Sequence, residues 1–313
     1  MALVAAYRQF GDSRYLDDAR TIGNWIVGNL TDTTGTGYGG YYLGYPDQGE
    51  MPKVLIMGKS IENNADIFAA FTALASIEAV AQKAAKWTAD ANVAGDFVMQ
   101  MFDSVSGSFF AGTVLVGSPP DPAAGNCQTP YISRGNDVVN TCDFLDANTF
   151  TTLALASAPR YRHMIDWRRP VQHVLDNFAQ SVTAAGQTFS GFDIVMSPSA
   201  GPNGIAWEFT GQAVESMWFV DRLYGETRFE ALAAQYLAQI HQAQIGAPFA
   251  DAQGLVASTL QGGDTLAPID QCLSTPFQCI AERVGLAATA WAIAAELHLN
   301  PFGPLEPSRG KTS

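Results

Sequence analysis

Helical periodicity that recurs in pairs constrains this chain more than any other feature. MALVAAYRQF is followed by SRYLDDARTIGNWIVGNL, and IENNADIFAAFTALASIEAVA by AAKWTADANVAGDFVMQMF. DFLDANTFTTLALASA is followed by YRHMIDWRRPVQHVLDNFAQSV, and EFTGQAVESMWFVDRLYG by TRFEALAAQYLAQIHQAQIG. A last segment, AERVGLAATAWAIAAELHL, has no partner before the C-terminal tail. In each pair the first member is small and apolar nearly throughout, while the second carries charges on one face. The first is therefore predicted to be interior and the second exterior. The segments GTGYGGYYLGY, SGSFFAGTVLV, GQTFSGFDIVM and DAQGLVAST each follow an outer helix. They combine glycine with aromatic or β-branched residues, as short strands and hairpins do.

Hairpins that cannot bury their inner faces alone must stack around a common axis. The expected fold class is all-α: a closed toroid of five or six helical hairpins, with short β-hairpins in its loops. Five inner helices are visible, and the outer partner of the fifth is left to a segment before residue 1. An open solenoid is the alternative. Residues 1–300 read as a single domain and 301–313 as a tail or linker.

Composition narrows the function. The chain has 313 residues, 15% of them charged, and a formal net charge of -13. The basic footprint of a nucleic-acid partner is absent. No apolar run reaches the roughly 18–20 residues that span a bilayer. The N-terminal segment lacks the basic and long apolar regions of a signal peptide. The four cysteines form two close pairs, Cys127 with Cys142 and Cys272 with Cys279, in polar loops. Without cysteine or histidine companions at zinc spacing, they imply two local disulfides and an extracellular or periplasmic location. The histidines, His163, His173, His241 and His298, fall on outer helices or the distal end of the last helix, and no metal or other cofactor is implied. Neither a phosphate-binding glycine loop nor a Gly-x-Ser-x-Gly elbow occurs.

Acidic residues cluster where the inner helices begin. Ser60 is placed to cap the second, with Glu62 in its first turn and Asp66 one turn on. The third begins with Asp143 and Asp146, the fourth with Glu208 and Gln212, the fifth with Glu282 and Arg283. Around one axis those starts would open on a single face, and facing carboxylates are what glycoside cleavage requires. A charge inside an apolar helix is costly unless paired, so Asp66 is expected to meet Lys59 or Arg283. Asn63 crowds the same turn as a candidate substrate contact. Flat rings with a polar edge suit sugar faces, which makes Tyr41 or Tyr42, together with Trp207, candidate subsite walls.

GKSIENNADIFAAF, FLDANTFTTLAL, AWEFTGQAVESM and VGLAATAWAIAAELHLNPF resemble secreted bacterial proteins of the six-hairpin glycosidase-like superfamily, the (α/α)6 toroids. The resemblance covers most of the chain and departs from it by one missing hairpin. It implies a carbohydrate-active enzyme with its cleft at one end of the inner barrel, commonly using an acidic pair and often inverting the anomeric centre. The matching positions are Glu62, Asp66, Asp146, Glu208 and Gln212. The expected activity is hydrolysis of a neutral or basic poly- or oligosaccharide, with Glu62 or Glu208 as general acid and Asp146 or Asp66 as base or stabiliser. A non-catalytic binding or assembly toroid is one alternative, and a lyase or isomerase on the same scaffold another. An open cleft with facing carboxylates favours hydrolysis, and a closed apolar pocket favours small hydrophobic substrates.

Overall fold

A computed structural model describes residues 1–45, 54–122, 125–194, 205–259 and 283–303. Nine helices lie among these residues. They are α1 (Ala2–Phe10), α2 (Ser13–Leu30), α3 (Ile61–Ile77), α4 (Ala81–Gln100), α5 (Leu145–Leu155), α6 (Arg168–Asn177), α7 (Trp207–Tyr224), α8 (Glu230–Gly246) and α9 (Leu286–Glu296). The pairing read from periodicity is the pairing observed: α1 packs on α2, α3 on α4, α5 on α6 and α7 on α8. Contacts from α3 to α5, α5 to α7 and α7 to α9 link the first members side by side.

Burial explains which helix of each pair faces inward. Ten of the eleven residues of α5 are buried, Leu145 and Ala147 through Leu155, so this helix has no solvent face. The helix α6, in contrast, buries only Pro170, Val171 and Val174. It is shorter than its periodic pattern, because turns occupy residues 156–166 and the helix begins only at Arg168. The core comprises two adjoining clusters. One gathers Phe68, Phe71, Trp87, Phe97 and Trp167 around α3 and α4. The other gathers Phe178, Phe189, Phe192, Trp207 and Met217 around α7.

The strands lie in the loops at the starts of inner helices. Here β1 (Lys59–Ser60), β4 (Gly112–Leu115), β6 (Asp137–Asn140) and β5 (Ser133–Arg134) form one antiparallel sheet in that order. Hairpins β2–β3 (Phe102–Asp103, Ser108–Phe109) and β7–β8 (Ala179–Ala184, Gln187–Phe192) follow α4 and α6. At Gly112, with φ of 136°, a Cβ would run into the Lys59 carbonyl oxygen. Only glycine lets β4 lie this close to β1. Beyond α9, Phe302 packs against Phe150, ring centroids 4.9 Å apart, and Asn300 donates to the Leu153 carbonyl. Packed structure therefore continues to Gly303, past the start of the segment read as a tail.

Candidate active site

One hydrogen-bonding device recurs at the first turn of four inner helices. On α3, Asn64 donates from Nδ2 to the Ser60 carbonyl and accepts the Tyr41 N–H on Oδ1 at 2.9 Å. On α5, Asn148 donates to the Phe144 carbonyl and accepts the Phe109 N–H at 3.0 Å. On α7, the Thr210 hydroxyl donates to the Ala206 carbonyl and accepts the Phe192 N–H at 3.0 Å. On α9, the Thr289 hydroxyl donates to the Gly285 carbonyl and accepts the Leu255 N–H at 3.0 Å. Each side chain bonds the carbonyl four residues back and holds an N–H of the loop arriving from the preceding outer helix. Buried main-chain polar groups must be paired, and this device pairs them while fixing the loop to the helix. Glycine permits the approach at Gly191, where a Cβ would stand 2.7 Å from Thr210 Oγ1.

The anchors set a common register. Two residues before each stand Glu62, Asp146, Glu208 and Ala287; two residues after stand Asp66, Phe150, Gln212 and Trp291. Thus three carboxylates occupy one structural position on consecutive inner helices. Each lies in the first turn of its helix, where the dipole favours negative charge. The fifth inner helix carries alanine there. Glu282 lies outside the described residues, and Arg283 is exposed ahead of α9 rather than at its first turn.

The three carboxylates act on one another. Burial raises the pKa of Glu62. Burial foremost, then the Glu62 and Glu208 charges, push Asp146 up to about 8 against the opposing Ala147 N–H. Glu208 is also raised, by burial and by Glu62, but it accepts a hydrogen bond from Gln212 Nε2 at 3.4 Å, which works the other way. Asp66, one layer deeper, rises to about 7 through burial and Glu62, relieved by the Met1 amino group. The expected partners of Asp66 are engaged elsewhere. Lys59 is fully buried, its Nζ 2.6 Å from both Asp32 Oδ2 and Asp137 Oδ2. Asp66 thus bears on Glu62 and the chain start, and meets neither Lys59 nor Arg283.

Glu62 and Asp146 line a cavity of about 560 Å³ that opens to solvent. Its described walls include Thr113 of β4, Asn126, Asn140 and Phe209. Thr113 is 3% exposed and its hydroxyl has no hydrogen-bond partner among the described residues. A buried donor left unpaired is costly, so this hydroxyl is available to a group entering the cavity. The Cys127–Cys142 disulfide braces this wall. Asn140 Oδ1 accepts the N–H groups of both cysteines. Cys272 and Cys279 lie outside the described residues.

The aromatic candidates are spent on the core. Tyr41 is 1% exposed; its hydroxyl donates to the Asp90 carbonyl and its ring meets Phe71 edge-on. The Tyr42 hydroxyl donates to Asp32 Oδ1, beneath the Lys59 pair. Trp207 is fully buried against Phe189. All three rings are buried in the interior, so they present no wall to a ligand. Asn63 is part-exposed, and its N–H donates to the Ser60 cap. Gln212 is 1% exposed and bonds both Glu208 and Thr149. Two histidines pair with carboxylates: His173 Nε2 lies 2.6 Å from Asp143 Oδ2, and His241 Nε2 lies 2.9 Å from Glu296 Oε2. Asp143 is committed to His173 of α6 and does not share the register of Asp146.

The repeat of helical hairpins, with its inner helices side by side, is an arrangement shared with solved glycoside hydrolases. Three solved structures make the likeness concrete, and it is a likeness of fold. A family 76 glycoside hydrolase from a bovine Bacteroides thetaiotaomicron strain superposes with a TM-score of 0.56 at 10% identity, over 94% of this chain and 54% of that one. The family 76 α-1,6-mannanase of Salegentibacter sp. HEL1_6 gives 0.55 at 12% identity, over 95% and 73%. A possible member of family 105 from Klebsiella pneumoniae gives 0.57 at 12% identity, over 95% and 68%. The chain thus spans about half the length of the first of these. No protein-family model matches the sequence, and no curated protein matches it.

Proposed function

We propose that the protein is a glycoside hydrolase acting on a neutral or basic poly- or oligosaccharide outside the cytoplasm. The observation that carries the reading is the mutual influence of Glu62, Asp146 and Glu208, each two residues before an anchor, with Glu62 and Asp146 lining a solvent-open cavity. A module that only binds or assembles gains nothing by holding carboxylates out of water against one another, whereas an acid–base site is tuned that way. Asp146, held protonated to about pH 8, gives its proton to the glycosidic oxygen as the bond to the anomeric carbon breaks. Glu208 takes a proton from the water that adds to that carbon, and Glu62 supplies the negative charge between them. Proton return from Glu208 to Asp146 through solvent restores the site. This assignment reverses the roles expected from sequence, because burial and the charges of the other two hold Asp146 protonated to about pH 8. In this reading the Thr113 hydroxyl, unpartnered among the described residues at the cavity wall, bonds a sugar hydroxyl, and the acidic cluster repels polyanions. The disulfide supports an oxidising location.

The test is release of reducing ends from a glycan panel that includes α-mannans and glucosamine polymers. Asp146→Asn and Glu208→Gln are each expected to lower turnover about 10²–10⁴-fold on the substrate cleaved. Wild-type activity is expected to fall as pH rises through about 8. Full activity in both amide variants and in Glu62→Gln would overturn the reading.

A further inference from the structure

The ring carboxylates stand over different neighbours. One turn below Glu62, at the position two residues past its anchor, is Asp66; at the same position below Glu208 is Gln212. Identical backbone geometry therefore carries opposite chemistry. Asp66 adds a second negative charge to the column under Glu62. Gln212 instead directs an amide at Glu208, with Nε2 3.4 Å from Oε1.

A glutamine amide has one donating and one accepting end, and something must decide which faces the carboxylate. Thr149 on α5 does so. Its hydroxyl lies 2.9 Å from Gln212 Oε1 and only 3.4 Å from the Leu145 carbonyl. The single hydroxyl proton goes to the nearer acceptor. The amide oxygen is then occupied and the NH2 is turned toward Glu208. Both Thr149 and Gln212 are 1% exposed, so water does not compete for either end. Among the described residues, the titratable groups that bear on Glu208 are Glu62 from α3 and Asp146 from α5. The register position on α9 is the uncharged Ala287.

We infer that Gln212, oriented by Thr149, is a positioning residue that favours the ionised form of Glu208 and so fixes that side chain as the base. The inference rests on the proposed glycosidase reading. Its test is nevertheless chosen to stand without turnover.

Carboxylate titration by NMR of protein labelled with 13C at glutamate Cδ follows Glu208 directly, its signal identified by loss in Glu208→Gln. Gln212→Leu is expected to raise the Glu208 midpoint by about one pH unit or more, since a hydrogen bond to a charged group is worth about that. Thr149→Val is expected to shift it in the same direction by less, and Thr149→Ser to restore the wild-type value. Where a glycan is cleaved, the acidic limb of kcat/KM moves up with the midpoint. A merely structural role for Gln212 would lower activity at every pH and leave the midpoint in place. Should Gln212→Leu fail to fold, the Thr149 pair carries the same comparison. A Glu208 midpoint unchanged within about 0.3 pH units, below the shift any hydrogen bond of this kind should give, overturns the inference. Absence of turnover on every glycan would instead overturn the glycosidase reading and leave this titration decisive.

Discussion

Replacing Lys59 by methionine removes the cation that bridges two buried carboxylates and keeps the volume of the side chain nearly constant. The Lys59 ammonium lies 2.6 Å from Asp32 Oδ2 and 2.6 Å from Asp137 Oδ2, and all three side chains are at most 4% exposed. Asp32 is held down at about 2 by Lys59, Thr34 and Tyr42 in spite of burial. Against an ordinary aspartate near 3.9, that depression corresponds to about 2 kcal/mol of stability at neutral pH. Asp137 loses the same partner, and an unpaired buried charge typically costs about 3–5 kcal/mol. The expected loss for Lys59→Met at pH 7 is therefore about 3–5 kcal/mol, read from urea denaturation. The sign of the pH dependence is fixed by the same pair. In the wild type, a depressed carboxylate contributes stability above about pH 4 that is lost as pH falls through about 2. In the variant, Asp32 loses the ammonium that holds it down, so acidification through about pH 4 neutralises it more readily and narrows the gap to wild type. A loss below about 1 kcal/mol at pH 7, the range of exposed pairs, would refute the claim that this triad is dry and mutually dependent.

Two further outcomes follow from the same geometry. Asn64→Ala strips the Tyr41 N–H and carbonyl of their partners at a fully buried site, and is expected to cost about 2–4 kcal/mol, seen as a lower Tm by calorimetry. Cys127→Ser with Cys142→Ser opens a loop closed over 15 residues, and is expected to cost about 3 kcal/mol, matched by adding reductant to the wild type.

Much of this architecture was legible in the sequence because burial on one helical face leaves a periodic trace. The four helical pairs and the unpaired last helix were read from that trace alone. Local propensity also marked Ser60 as a cap, which it is. The aromatic residues misled for a definite reason. A tyrosine in a glycine-rich loop looks the same whether its ring faces a sugar or the core, and packing against elements distant in sequence decides. Both Tyr41 and Tyr42 went inward, with hydroxyls bonded to protein groups. The pairing of Lys59 with Asp32 and Asp137 joins residues 27 and 78 positions apart, a separation at which no local pattern exists. The anchors were legible in principle and went unread. Glu62-Asn63-Asn64, Asp146-Ala147-Asn148 and Glu208-Phe209-Thr210 share an acid followed two residues later by a side chain able to both donate and accept. Periodic hydrophobicity hides such a signal, because it is polar and occurs once per repeat.

The loop anchor has a consequence for how a chain of this kind can change. Because the same bond ties each incoming segment to its own helix, each of the four anchored helices carries one address in its first turn whose occupant takes no part in that fastening. Ala287 is that address left blank, while Thr289 still performs the fastening beneath it. Chemistry can thus be written, erased or moved around the mouth one side chain at a time, with the frame that carries it left standing.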